Sequence, residues 1–232
     1  MIRADREAVF VLHRRPWRDT SLIIEFLSAR HGRIAGVARG ARNPKSAFFG
    51  LAEPFRPLEA SWTRRGEMAT LTGLEAAART ERLTGRAMWC GLYANELVLR
   101  LTPRDDPDPS IFEAYSLLLP ELGTASRQRN ALRRFEMSLL NALGVAPELA
   151  VDSRSGEAVD AGGRYRVDPV AGPESVPPHR DGVSGSVLLA LASGAEIAAQ
   201  DDAAALRVMR ELIDQQLDGR PLNTPAFFRE KK

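Results

Sequence analysis

Between Glu7 and Ala78, apolar residues alternate with polar ones or cluster over short runs separated by Gly, Pro and Asn, which is the signature of strands and turns. The runs at 8–13, 21–27, 33–38, 57–63 and 68–74 predict five short strands, and so many in so little chain predicts a small barrel. His31-Gly32 and Arg65-Gly66 supply turn signals between the second and third and between the fourth and fifth. Residues 41–50 are too polar and irregular for a strand and are expected to form a mobile loop carrying Arg42 and Lys45.

After Arg79 the period lengthens to that of a helix. Leu83, Met88, Leu92, Leu97, Val98 and Leu101 mark one amphipathic helix that must stop before Pro103. A second, expected to be capped by Ser110, runs through Phe112, Tyr115, Leu118 and Leu119. A third starts near Ser126, turns Leu132, Phe135, Leu139, Leu140 and Leu143 inward, and ends at Gly144. Residues 152–178 are rich in Gly, Pro, Ser and Asp, with one hairpin predicted around Gly162-Gly163 between 158–159 and 165–167. Helices at 185–191 and 203–217 follow and are expected to pack back on the middle helices. The tail carries Phe227-Phe228, which is expected to dock.

At 232 residues and 44% hydrophobic content the chain can bury a real core. Its net charge is only +2, yet residues 1–80 hold 14 Lys plus Arg against 8 Asp plus Glu, while 81–232 hold 18 against 22. Such segregation concentrates attraction for a polyanion on one module, which points to nucleic acid. The basic residues Arg14, Arg15, Arg18, Arg30, Arg33, Arg39, Arg42 and Lys45 crowd the first three strands and their turns. Trp17 beside Arg14, Arg15 and Arg18, and Trp62 beside Arg64 and Arg65, set flat rings next to phosphate-binding forks, as single-strand binders do. Packing explains tryptophan equally well: Trp62, inside a strand, reads as core, and Trp17, in a turn after Pro16, reads either way. An arginine-rich habit competes with function too, since 29 of the 32 basic residues are Arg, but the regional imbalance favours function.

Catalytic chemistry has little to draw on. His13, His31 and His179 have no carboxylate at triad or metal spacing, and neither a GxxxxGK[ST] nor a GxGxxG loop follows a strand. Asp105-Asp106 and Asp201-Asp202 flank helix starts, where capping and the helix dipole account for them. Cys90 is the single cysteine and reads as a small core residue, which rules out an internal disulfide and a multi-cysteine zinc site. The N-terminus lacks a leader-like apolar stretch and no run is long enough to span a bilayer, so a cytoplasmic protein is expected.

The run Ala8-Val9-Phe10-Val11-Leu12-His13-Arg14-Arg15-Pro16-Trp17-Arg18-Asp19-Thr20-Ser21-Leu22, then Gly32-Arg33, Ala38-Arg39-Gly40-Ala41-Arg42, Gly50 and Pro54-Phe55-Arg56-Pro57-Leu58, resembles the N-terminal domain of the bacterial RecO DNA repair proteins. Ordered matches continue at Gly91-Leu92-Tyr93-Ala94-Asn95-Glu96-Leu97, Leu132-Arg133-Arg134-Phe135-Glu136, Leu143-Gly144 and Gly219-Arg220-Pro221-Leu222, so the resemblance spans essentially the whole chain. It implies an α+β protein: an oligonucleotide/oligosaccharide-binding (OB-fold) barrel at 1–80, a central helical bundle at 81–150, and a small C-terminal module at 151–232 with helices that complete the bundle. In many members that module is a four-cysteine zinc ribbon. Here the CxxCG element reads Asp152-Ser153-Arg154-Ser155-Gly156 and no later cysteine pair follows, so a degenerate module without metal is expected.

The resemblance further implies a non-enzymatic recombination mediator of DNA repair, associated with the nucleoid and needing no cofactor. Such a protein binds single- and double-stranded DNA, anneals complementary strands, binds the acidic tail of single-strand-binding protein, and with RecR promotes RecA loading. Carried over by position, Arg14, Arg15, Arg18, Arg33, Arg39, Arg42, Lys45, Arg64 and Arg65 fall to DNA, and Arg133, Arg134 and Phe135 to the partner tail. The competing classes are an RNA-binding barrel acting in translation or RNA handling, and a nuclease, for which Asp19, Glu25 and Glu67 are too scattered.

Overall fold

A computed structural model of the chain describes residues 2–78 and 81–224. Five strands, β1 (Ile2–Trp17), β2 (Ser21–Ser28), β3 (Gly32–Ala38), β4 (Leu58–Arg64) and β5 (Ala69–Ala76), close into a barrel in the order β1-β2-β3-β5-β4. The β3–β5 pairing is parallel and the others antiparallel, which is the OB-like arrangement. The five strands fall where the pattern predicts them, but β1 is far longer than its apolar run. Its first half pairs with β4, from Ile2 opposite Arg64 to Val9 opposite Leu58, and its second half with β2, from Val9 opposite Ser28 to Trp17 opposite Ser21. Register shifts at Ala4/Glu7 and Val11/His13 bend the strand so that it can serve both neighbours. Charged, exposed ends hide that length from a period-2 reading.

Val9 to Leu12 are all buried because β1 is covered on both faces. Val9 and Val11 join Ile24, Phe26, Leu58, Trp62 and Leu71 inside the barrel. Trp62 is the plug expected of it, with its ring edge-on to Phe26 at 5.2 Å. Phe10 and Leu12 point the other way, onto α1 (Gly85–Leu101) and α2 (Pro109–Leu122). The Phe10 ring lies 5.2 Å from Phe112 and 5.1 Å from Tyr115. The Asn95 amide donates to the Leu12 carbonyl at 2.7 Å and accepts from the Tyr115 hydroxyl at 2.5 Å, so a buried polar pair is satisfied by the strand it fixes. Gly91 permits the approach of Phe55 to α1, since a Cβ there would sit 2.7 Å from the ring.

Compact grouping puts the chain up to Gly123, with Asn223 and Thr224, in one unit and Thr124–Leu222 in another. α1 and α2 thus share the barrel's unit. α2 is capped by Asp108 rather than Ser110: its carboxylate accepts the Ser110 N–H at 2.8 Å, and Pro109 at the first helical position needs no donor partner.

In the second unit α3 (Gln128–Ala142) packs against α4 (Gly185–Ser193) and α5 (Asp202–Gln216). A small sheet has the order β7-β6-β8, from β6 (Arg164–Asp168), β7 (Gly172–Ser175) and β8 (Val183–Ser184). The hairpin lies later than Gly162-Gly163 suggests. Asp168 takes the Val170 and Ala171 N–H groups at 2.9 and 2.8 Å and folds the turn there, a side-chain device that outweighs the two glycines. Phe227-Phe228 lies outside the described residues. No helix among the described residues is long and apolar enough to cross a membrane.

Candidate nucleic-acid interface

The end of β1, the start of β2 and the end of β3 meet at one pole of the barrel. Trp17 faces Ser21 and Leu22 faces Ala38, so Arg39 continues β3 alongside Ser21 and the Trp17 row. Arg42 is tied to the β1–β2 turn: its N–H donates to the Thr20 carbonyl at 2.8 Å and its guanidinium to the Asp19 carbonyl at 3.1 Å. Arg18, at the left-handed φ of 51°, carries its guanidinium over the Trp17 ring at 5.9 Å. Arg14 lies 3.0 Å from Glu53. Arg14, Arg15, Arg18, Arg39, Arg42 and Lys45 are all exposed, and none but Arg14 has an ion pair among the described residues. Unneutralised guanidinium forks on a rigid strand end suit phosphate.

Two details of this pole differ from the sequence reading. Trp17 is the last residue of β1, not a turn residue, and stays 40% exposed. Residues 41–50 are a succession of hydrogen-bonded turns, Asn43 to Gly40, Ser46 to Asn43 and Phe49 to Ser46, rather than an unanchored loop. Ala41 and Ala52 enter the barrel core and Phe48 and Leu51 pack on it, at an irregular spacing that matches neither strand nor helix.

Arg33 and Arg64 stand apart from that group. The Arg33 side chain is only 14% exposed and donates to the Thr102 carbonyl at 2.8 and 3.2 Å and to Glu25 at 3.3 Å. Burial lowers its pKa, with Glu25 opposing and Arg104 reinforcing the shift. Arg104 also bonds Glu25, Arg64 bonds Asp105, and the Asp105 N–H donates to the Arg33 carbonyl at 3.0 Å. These groups join the barrel to the α1–α2 connection. Gly32 makes the join possible, because it holds φ 67° and a Cβ would lie 2.3 Å from the Asp106 carbonyl oxygen. Asp105 therefore answers Arg64 rather than capping a helix. Arg65 is exposed in the β4–β5 turn.

On α3, the Arg133 side chain is buried and donates to Glu136 at 2.6 Å, Phe135 is core, and Arg134 is half-buried with its stem 3.6 Å from where a Cβ on Gly194 would stand. Asp202 meets Arg129 at 3.5 Å.

The Asp152 segment does not offer a zinc donor set. Both carboxylate oxygens are occupied by backbone donors: Arg154 and Ser155 N–H at 2.9 and 3.0 Å, and Ser175 N–H at 2.9 Å. Ser153 closes on the Pro173 carbonyl with its N–H at 2.7 Å and its hydroxyl at 3.0 Å. The Ser155 and Arg154 bonds hold the Asp152 carboxyl down at about 2, against a smaller opposing effect of burial. The Asp152 carboxylate thus ties its own turn to β7.

Glu96 is the residue the sequence reading passed over. Its carboxylate accepts Asn223 N–H at 2.8 Å, Asn223 Nδ2 at 2.9 Å, Thr224 N–H at 2.9 Å and the Thr224 hydroxyl at 2.7 Å. Burial raises its pKa, but those donors and Arg100 lower it further, and the net direction is down. Only a buried acid on an otherwise apolar helix face could have signalled it.

Residues 1–79 match the family model described as Recombination protein O N terminal, and residues 82–226 the one described as Recombination protein O C terminal. A DNA repair protein RecO from Azoarcus sp. is 42% identical, over 98% of this chain and 96% of its own. One from Methylococcus capsulatus is 42% identical over 95% and 91%, and one from Pseudomonas aeruginosa 40% over 99% and 97%.

Proposed function

The chain belongs to the RecO family of DNA repair proteins, and from that premise we propose that it is a non-enzymatic recombination mediator whose DNA-binding surface is the basic pole of the barrel. The observation that carries this reading is the convergence of Arg14, Arg15, Arg18, Arg39, Arg42 and Lys45 around the exposed Trp17. Phosphates neutralised there hold a strand without reading its sequence, which suits a protein that must accept any damaged site. Two strands gathered on one cationic surface lose much of their mutual repulsion, so binding itself promotes annealing.

Recruitment belongs to α3 in this reading. The partner is the acidic, Phe-ended tail of single-strand-binding protein, and Arg134 presents the more accessible guanidinium while the Arg133–Glu136 pair and Phe135 hold the helix surface in shape. Handing strands on, with RecR and towards RecA, completes the activity.

Annealing of complementary oligonucleotides coated with single-strand-binding protein tests DNA binding and recruitment together. Acceleration over the protein-free rate is expected, and a chain that leaves coated strands unpaired would contradict the reading. Calorimetry of the tail peptide assigns the helix: Arg134→Ala is expected to lose heat of binding, and wild-type affinity in both Arg133→Ala and Arg134→Ala would move the tail site elsewhere.

A further inference from the structure

We propose that Trp17 and Phe49 are two stacking platforms that make the basic pole prefer single-stranded over double-stranded DNA. The proposal rests on the reading of that pole as the DNA-binding surface and adds what the arginines cannot supply.

Among the described residues, Trp17 and Phe49 are the exposed aromatic rings, 40% and 52% accessible, while the other Trp, Phe and Tyr side chains are buried or half-buried. Trp17 ends β1, and the segment that bears Phe49 is tied to that strand. The segment bearing Phe49 is fastened to β1 and its turn on either side, by Arg42 to Thr20 at 2.8 Å and by Glu53 to Arg14 at 3.0 Å. Within it, Phe48 packs on the barrel core and Phe49 does not, although its N–H is fixed to the Ser46 carbonyl at 3.0 Å. The ring is therefore held outward by an ordered backbone.

Cationic residues neighbour both rings along the chain. Arg18 lies over Trp17, Lys45 precedes Phe49 by one turn, and Arg56 reaches the Gly50 carbonyl at 3.4 Å. The outward area of both rings stays in water in the isolated protein. A single strand complements both features, phosphate to cation and base to ring, and every base has a π-face. A duplex keeps its bases stacked inside and offers the arginines alone. Arginines therefore hold both substrates, and only the rings distinguish them.

The test compares full-length protein with Trp17→Leu, Phe49→Leu and Phe49→Tyr, each first matched to wild type in melting temperature. Affinities are measured by fluorescence anisotropy for a dT oligonucleotide and a blunt duplex of equal length, across a salt series. Each Leu variant is expected to bind the single strand at least about fivefold more weakly, with duplex affinity and salt slope unchanged. Phe49→Tyr is expected to behave as wild type, and the single strand to quench a part of the tryptophan emission that Trp17→Leu lacks. Equal losses on both substrates, or no loss on either, would overturn the platforms. A wild-type chain that binds neither substrate would instead sink the underlying DNA-binding reading.

Discussion

Arg33 and Arg39 sit six residues apart on one strand and its extension, yet their surroundings give them opposite tasks. Arg33 is closed in by Glu25 and the Thr102 carbonyl, whereas Arg39 is exposed with no ion pair among the described residues. Arg33→Ala is expected to lower stability by about 1–3 kcal/mol, the cost of leaving Glu25 and a carbonyl short of a charged donor, without lowering DNA affinity. Thermal melts beside anisotropy titrations decide it, and a variant that melts normally but loses DNA would reverse the assignment. Spacing alone could not separate these two arginines, because the partners of Arg33 come from β2 and from the end of α1.

Glu96 shows the same limit from the other side. Its donors, Asn223 and Thr224, lie far along the chain and no local pattern announces them. Its lowered pKa means that the clip is complete above the ordinary glutamate range and weakens as pH falls through the folded value. Glu96→Gln keeps the shape but removes the charge, so it is expected to lower the melting temperature at neutral pH and to narrow the gap from wild type as the buffer is acidified. A constant gap across pH would show that charge plays no part.

At the scale of elements, strands and helices were largely legible because each has one apolar face of the right period. Failures occurred where a side chain or a second covering layer took over. β1 is buried on both faces at Val9–Leu12 and charged at both ends, so its period vanishes. The turns at 41–50 are anchored by apolar residues of no regular spacing, and the β6–β7 hairpin is placed by Asp168 rather than by glycine.

Asp152 was legible only as a missing cysteine. That position holds a carboxylate with a depressed pKa, so the stabilisation it gives is present above the unfolded value near 3.9 and is lost as pH falls towards about 2. Amide protection at Ser155 and Ser175, relative to the intrinsic exchange rate at each pH, is expected to fall across that window, and Asp152→Asn to show reduced protection already at neutral pH. Protection that persists in the variant would remove the carboxylate from this role. Metal analysis of the purified chain is expected to find no stoichiometric zinc; one ion per chain would contradict the account of this module.

For the molecule as a whole, a net charge of +2 conceals a basic barrel on an acidic remainder. The sequence showed that imbalance and the structure divides it further. Arg33 and Arg64 are spent within the fold, while Arg15, Arg18, Arg39, Arg42 and Lys45 stay exposed at one end. The count of arginines was readable from the chain, but their division needed the barrel's register. Central to the account is the claim that this end neutralises DNA phosphates. Its most direct test is the salt dependence of affinity for a single-stranded oligonucleotide, wild type against the combined Arg39→Glu, Arg42→Glu and Lys45→Glu variant. The variant is expected to bind more weakly and to lose about 0.7 of a log-log unit of slope for each phosphate contact removed. Two coincident lines, with equal affinity and equal slope, would contradict it.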